Sequence, residues 1–336
     1  MNARAPRFLI VRLGSLGDVI HAIPAVAALK HRYPSAMIDW VVDPRYADLV
    51  RLVTVVATVY PFDPRGTLSA LTAWRQIGRG IEYDAAIDLQ GLLKSAVLAR
   101  SVGARRAIGF SRQHLREPLA RFFYSATVDP GDAPHVIQKG INLMRAVGVD
   151  DATIAFPIAV PRSSAADAVA ARVGSSGYVL INPGAAWPNK RWPPERFGAL
   201  AAAIRERHGL QSLVLWGPGE EAAASAVVAA SRGAAEHAPP TSITDIVAIA
   251  RGASLMVSGD TGPLHIAAAV GTPIVALFGP TREERNGPWS QADISISRLD
   301  QCVCHYERRC RRAEPCIDDI GVDEVVAAVE RRVAPR

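Results

Sequence analysis

Cysteine is scarce in this chain and sits in one place. Cys302, Cys304, Cys310 and Cys316 are the only four in 336 residues. Thiols confined to one segment cannot form a framework of disulfides across a fold. Their spacing, C-x-C-x5-C-x5-C, is not that of a standard zinc finger. It leaves either an unusual structural metal site or reduced, partly buried thiols. Aromatics are 6% of the chain and are not interleaved with basic residues as base-stacking platforms require. Nucleic acid is therefore not an expected partner. No apolar run reaches the roughly 18–20 residues of a membrane span. The longest candidate, "IAAAVGTPIVALFG" at 266–279, is broken by Gly271 and Pro273. Residues 1–7 lead into a short strand and "GSLG" rather than into the apolar core of a secretory leader. A cytoplasmic chain that at most touches a membrane from outside is the expectation. A P-loop, H-E-x-x-H and a Ser-His-Asp constellation are also missing.

What is present is 49% hydrophobic and carries a net charge of +6, with a pI of about 9.4. The length suits two domains, each with its own core. The charge favours anionic partners such as phosphate groups or an acidic membrane surface. Short apolar runs at 7–13, 37–42, 55–60, 84–88, 178–182, 211–216, 254–258 and 273–278 read as strands. Helical patterns lie between them, including "ALTAWRQIGRG" at 70–80 and "VDEVVAAVERRV" near the C-terminus. That alternation predicts an α/β architecture: two Rossmann-like domains of parallel sheet, facing a central cleft. Residues 150–176, with Pro157, Pro161 and a Ser/Gly-rich end, read as their connection. Ligands in such sheets bind beyond the carboxyl ends of the strands, so the loops there hold the candidates.

After the first strand comes "GSLGDVIHAIPAV". Gly14 and Gly17 permit a small turn, and Asp18 falls in the first turn of a helix. An acid there can serve the helix dipole, or it can be a catalytic base presented beside backbone amides. A dinucleotide turn is a further reading, with Asp39 or Asp43 as ribose contact. Its fingerprint is broken, because the first glycine would fall at Arg12. In the second half, "SGDTGPLHIAAAVG" ends a strand at Ser258-Gly259 and starts a helix with Pro263 in the first turn. Asp260, Thr261, Gly262 and His265 surround that helix N-terminus, which favours a phosphate. The alternative is an ordinary capped helix with His265 in packing. "NPGAAWPNKRWP" holds Lys190 in a proline-stiffened loop, suited to neutralising phosphate. "WGPGEE" offers Glu220 or Glu221 to a ribose or base. Asp88, Gln90 and Gly91 end another strand, and Lys94, Arg112, His114, Arg116 and Arg121 follow.

Taken together, "GSLGDVIHAIPAV", "DLQGLLKSA", "REPLARFFY", "NPGAAWPNKRWP", "DTGPLHIAAAVGTP" and "LFGPT" resemble the bacterial lipopolysaccharide heptosyltransferases. These are inverting enzymes of glycosyltransferase family 9 with the GT-B fold, and the resemblance covers nearly the whole chain. It implies an acceptor-binding domain over 1–160 and an ADP-sugar domain with a C-terminal helix over 161–336. It implies transfer of L-glycero-D-manno-heptose from ADP-heptose to the Kdo of lipid A at the cytoplasmic face of the inner membrane. No cofactor or metal is implied. Carried over, Asp18 is the general base, with Ser15 and Gly17 beside the acceptor. Lys190 meets the donor diphosphate. Asp260, Thr261, Gly262 and His265 hold phosphates and heptose hydroxyls, and Glu220, or Glu221, binds adenosine. "REPLARFFY" is similar to enzymes adding the first heptose. "NPGAAWPNKRWP" and the cysteine segment are more similar to those adding the second. The first is expected, since acceptor choice belongs to the N-terminal half. A non-catalytic nucleotide-sugar-binding protein is the remaining alternative.

Overall fold

The computed structural model describes residues 4–63, 74–150 and 152–333. Contacts divide the chain into two units between Ala159 and Val160. In the first, β1 (Arg7–Val11), β2 (Met37–Val42), β3 (Thr58–Pro61), β4 (Ala85–Asp88), β5 (Ala107–Phe110) and β6 (Ala126–Val128) form one parallel sheet in the order β3-β2-β1-β4-β5-β6. In the second, β7 (Tyr178–Asn182), β8 (Gln211–Val214), β9 (Ala235–His237), β10 (Leu255–Gly259), β11 (Ile274–Phe278) and β12 (Ile294–Ser297) form another, in the order β12-β11-β10-β7-β8-β9. The two orders are the same topology: two strands laid outward on one side of the first, then three on the other. Central strands are buried on both faces, which explains their unbroken apolar runs. Leu9, Ile10 and Val11 are wholly buried in β1, as are Leu180 and Ile181 in β7.

The first helix, Leu16–Arg32, buries Val19, Ile20, Ile23, Val26 and Leu29. Its last turn is basic, through Lys30, His31 and Arg32, as the dipole favours. The first unit's core joins Leu9, Val11 and Val41 to Tyr83, Ala86, Leu98 and Ala99. In the second, Trp192 stacks edge-on against Phe197 at 4.8 Å and donates to the Ile320 carbonyl. The C-terminal helix Val322–Arg332 adds Val325, Val326, Ala328 and Val329 to that core.

Two sequence readings change. β5, β6, β9 and β12 lie outside the runs taken as strands. They are short and flank the apolar centres of the sheets. The segment 150–176 is not a plain connection, because it contains the helix Ser164–Val173. Ser163 accepts from the Ala166 amide at its start and donates to Asp245 at 2.7 Å. Only Val169 is buried in this helix, so no apolar stripe marks it. The expected helix at 70–80 begins outside the described residues. No helix among the described residues is long and apolar enough to cross a membrane.

Helix Pro194–His208 runs so close to helix Glu221–Ala230 that Gly198 has no room for a side chain. A Cβ there would lie 2.4 Å from the Ala230 Cβ, 2.8 Å from the Ala230 carbonyl carbon and 2.9 Å from the Val227 oxygen. Such overlap costs about 1–3 kcal/mol, against the roughly 1 kcal/mol that alanine gains over glycine in a helix. Two of the three atoms are backbone and cannot rotate away. Gly198→Ala is therefore expected to lower the denaturant midpoint of the second unit. An unchanged or raised midpoint would show that the helices separate freely.

Candidate functional site

Strand order reverses between β1 and β4 in one unit and between β7 and β10 in the other. At such switch points adjacent loops diverge and leave a crevice at the carboxyl ends of the strands. Asp18 lies in the first turn of the helix after β1, Lys190 in the loop after β7 and Asp260 in the loop after β10.

In the first unit Asp18 is held from two sides. Its Oδ1 accepts from the Arg12 guanidinium at 2.6 Å. Its Oδ2 accepts from the Ser15 amide at 3.1 Å and the Ser15 hydroxyl at 2.9 Å. The acid at the third helical position thus reaches back to the residue before the helix, the geometry of a capping box. About a third of the Asp18 side chain remains exposed (32%), against 14% for Arg12. The carboxylate is both a cap and open to a ligand. Gly17 lies in the same first turn without a positive φ. Gly14 serves packing: a Cβ there would meet the Tyr46 ring at 2.8 Å.

The loop after β4 braces this turn. Gln90 Oε1 accepts from the Leu13 amide at 2.7 Å, and Arg12 also donates to the Leu89 carbonyl. Asp88 is fully buried and accepts from the Gln90 and Gly91 amides, the Ser95 hydroxyl and the Tyr124 hydroxyl. Burial pushes its carboxyl up, against the pull of those donors. Of the basic residues noted after it, His114 pairs with Asp129 at 3.1 Å. Asp39 is buried and accepts from Tyr83 at 2.6 Å, while Asp43 is paired with Arg45. Both acids considered as ribose contacts are thus occupied by protein partners.

In the second unit Asp260 is the hub. It accepts from Lys190 at 2.6 Å, His265 Nε2 at 3.2 Å and the Thr281 hydroxyl at 2.8 Å, with 5% of its side chain exposed. Burial pushes its carboxyl up, but the His265 hydrogen bond and the Lys190 charge outweigh it and hold the group well below the usual carboxylate range. Lys190 also lies 4.6 Å over the Trp187 ring. The loop can come this close because residue 259 is glycine: a Cβ would sit 2.7 Å from the Lys190 carbonyl oxygen. Beside it, Asn182 Nδ2 donates to Ser258 at 3.1 Å and Thr261 at 3.0 Å. Thr261 precedes helix Gly262–Ala269, and its hydroxyl does not cap that helix. It is committed to Asn182 and Ser258 instead, so the first-turn amides go without the side-chain cap that their position would supply.

Glu220, not Glu221, turns toward the loop after β7. Its Oε2 accepts from the Gly217 amide at 3.1 Å, and a Cβ at Gly184 would meet its carboxylate at 2.2–2.4 Å. Glu221 is exposed on the helix that follows. The four cysteines form one cluster, with Sγ–Sγ separations of 3.6 Å (Cys302–Cys304) and 3.2 Å (Cys304–Cys310). Burial and its neighbouring thiols push Cys316 up to about 12. Asn182, Ser258, Thr281 and Arg12 do not stand out in the sequence as site residues. The first two are neighbours in the β7–β10 register, a signal that needs the strand pairing to be seen.

The family model "Glycosyltransferase family 9 (heptosyltransferase)" matches residues 71–315. The chain belongs to glycosyltransferase family 9. It is a glycosyltransferase, and its two parallel sheets are the GT-B arrangement. It is 30% identical over 316 residues to "Lipopolysaccharide heptosyltransferase 1" of Pseudomonas aeruginosa PAO1, covering 90% of this chain and 87% of that one. The Salmonella typhimurium LT2 protein of the same name is 28% identical, with 90% and 97% covered. Among solved structures, "E. coli heptosyltransferase WaaC with ADP" superposes with a TM-score of 0.80 at 24% identity, covering 97% of this chain and 99% of that chain.

In this family 9 chain the Asp260 hub has a measurable signature. Its folded pKa lies below the unfolded value of about 3.9. The network therefore adds stability that is fully present above that value and is lost as pH falls through the folded pKa. Lys190→Met removes one of the groups holding the pKa down. Stability of the wild type, from urea midpoints between pH 6 and pH 3, is expected to fall more steeply than that of Lys190→Met. Parallel curves would mean that Lys190 does not act on Asp260.

Proposed function

We propose that this chain transfers L-glycero-D-manno-heptose from ADP-heptose to the Kdo of lipid A, inverting the anomeric centre, as a step of lipopolysaccharide inner-core synthesis. The family match supports heptosyl transfer, and both relatives quoted above bear the name heptosyltransferase 1. The observation that carries the mechanism is a pair of opposite charges at the two switch points: a part-exposed carboxylate after β1 and a carboxylate-anchored lysine after β7.

On this reading the first unit takes the acceptor. Asp18 removes the proton from the Kdo hydroxyl as that oxygen attacks the anomeric carbon of the heptose. Ser15 and Arg12 fix the carboxylate, with Ser15 and Gly17 beside the acceptor sugar. The second unit takes the donor. Lys190 meets the diphosphate, and the amides opening helix Gly262–Ala269 add their dipole. Asp260 cannot itself approach phosphate without repulsion, so its part is to hold Lys190 and His265. Thr261 does the same for the loop through Asn182, and Glu220 accepts from the adenosine. ADP leaves with its new charge met by these groups, and no leaving-group acid is needed. The acceptor is lipid-anchored, so the enzyme meets it at the cytoplasmic face of the inner membrane. The "NPGAAWPNKRWP" loop favours a second reading, addition of the second heptose. An acceptor already carrying one heptose separates the two.

The test is a transfer assay with wild type and Asp18→Asn. Wild type is expected to transfer from ADP-heptose to Kdo-lipid A. Asparagine keeps the size and caps a helix, so a purely structural Asp18 predicts near wild-type turnover. A general base predicts a folded variant that still binds ADP but turns over about 10²–10⁴-fold more slowly. Wild-type turnover in the variant would remove the base assignment, and no turnover by the wild type would remove the donor–acceptor reading.

A further inference from the structure

The turn Pro118–Phe123 is a 3₁₀ helix, in which residues three apart lie on one side. Ala120 and, just beyond, Tyr124 face inward. They are 0% and 6% exposed, and Tyr124 is tied to buried Asp88 at 2.7 Å. Leu119 and Phe122, three apart, face outward and are 63% and 80% exposed. Phe122 is the most exposed large apolar side chain among the described residues. Glu117 joins the turn to the start of helix Leu93–Ser101, its carboxylate accepting from the Leu93 amide at 2.6 Å. Leu93, itself 38% exposed, is thereby joined to the same turn. Lys94, Arg116 and Arg121 are exposed on the same two segments, next in sequence to Leu93, Glu117 and Phe122, and no ion pair among the described residues involves them.

An exposed apolar tip with cations on the same segments is costly in water. We infer that Leu93, Leu119 and Phe122, with Lys94, Arg116 and Arg121, form a docking surface for an anionic lipid bilayer. The apolar side chains enter the acyl boundary and the cations meet the phosphates of the headgroups. A second copy of the chain fits less well, because a two-fold contact through this patch would bring the like charges together. Helix Leu93–Ser101 starts just past β4, and the turn lies between β5 and β6. The patch is thus built on loops neighbouring the one that braces Asp18 in the same unit. The inference deepens the reading of a lipid-anchored acceptor. It is measured without donor or acceptor, so either can fail alone.

The experiment is sedimentation of the full chain with vesicles of phosphatidylglycerol and phosphatidylethanolamine, or of phosphatidylcholine alone, at low and high salt. Binding is expected to the anionic vesicles, weakened by salt, and to be at least about tenfold poorer to the neutral ones. Leu119→Ser/Phe122→Ser should lower partitioning to the anionic vesicles by about tenfold or more, while ADP still raises its melting temperature as in the wild type. As an independent readout, Phe122→Trp should add fluorescence that brominated anionic lipid quenches. Equal partitioning of the double variant and the wild type would overturn the proposal, as would an added fluorescence that the brominated lipid leaves unquenched. So would a wild-type dimer in sedimentation velocity that the double substitution dissociates, since the patch would then serve self-association.

Discussion

One buried carboxylate organises the second unit. Asp260 has almost no contact with water, and a lone charge in that position would be driven to neutralise. It stays ionised because three donors from three segments converge on it: Lys190 from the loop after β7, His265 from the helix after β10 and Thr281 from the loop after β11. The same contacts that keep it charged fix those segments relative to one another. The lysine is fixed along with them. Held at 2.6 Å and laid over Trp187, it has lost the freedom that a surface lysine has.

The first unit solves the converse problem with the same topology. There the carboxylate is left part-open and its cation, Arg12, is the more buried partner. The two cations are equally withdrawn, at 14% exposure each; what differs is the acid, 5% exposed at Asp260 and 32% at Asp18. Each unit places its pair where the strand order reverses, and the two pairs differ in how far the carboxylate is withdrawn into the protein.

Much of this is legible in the chain. Apart from the run that becomes the edge strand β3, the apolar runs read as strands lie inside the sheets, because burial on both faces makes a run continuous. The remaining strands are not legible. "ATV" and "AEH" are three residues long at sheet edges, and "ISIS" alternates. β5 contains Gly109, whose missing Cβ makes room for the Tyr124 ring, and glycine weakens a strand signal. Asp18 and Asp260 stand out because a charge soon after an apolar run is conspicuous, and Lys190 because prolines stiffen the loop that holds it. Their partners do not. Arg12 is one of 38 basic residues, and Thr281, Ser258 and Asn182 are common residue types at strand ends. Only pairing and distance make them a network, and neither is written in spacing. Glu220 and Glu221 are told apart only by seeing which carboxylate lies against Gly184.

The central claim is that Asp260 acts on the nucleotide through Lys190. Calorimetric ADP binding to Lys190→Ala, Asp260→Asn and the double variant measures it, with melting temperatures to confirm that each is folded. A charge-assisted hydrogen bond contributes about 1.5–3 kcal/mol, so Lys190→Ala is expected to weaken ADP by about ten- to a hundredfold. If Asp260 works by holding Lys190, the two substitutions remove one interaction, and the double variant binds ADP about as well as Lys190→Ala alone. Losses that add in full would contradict the account, since the two residues would then reach the nucleotide independently.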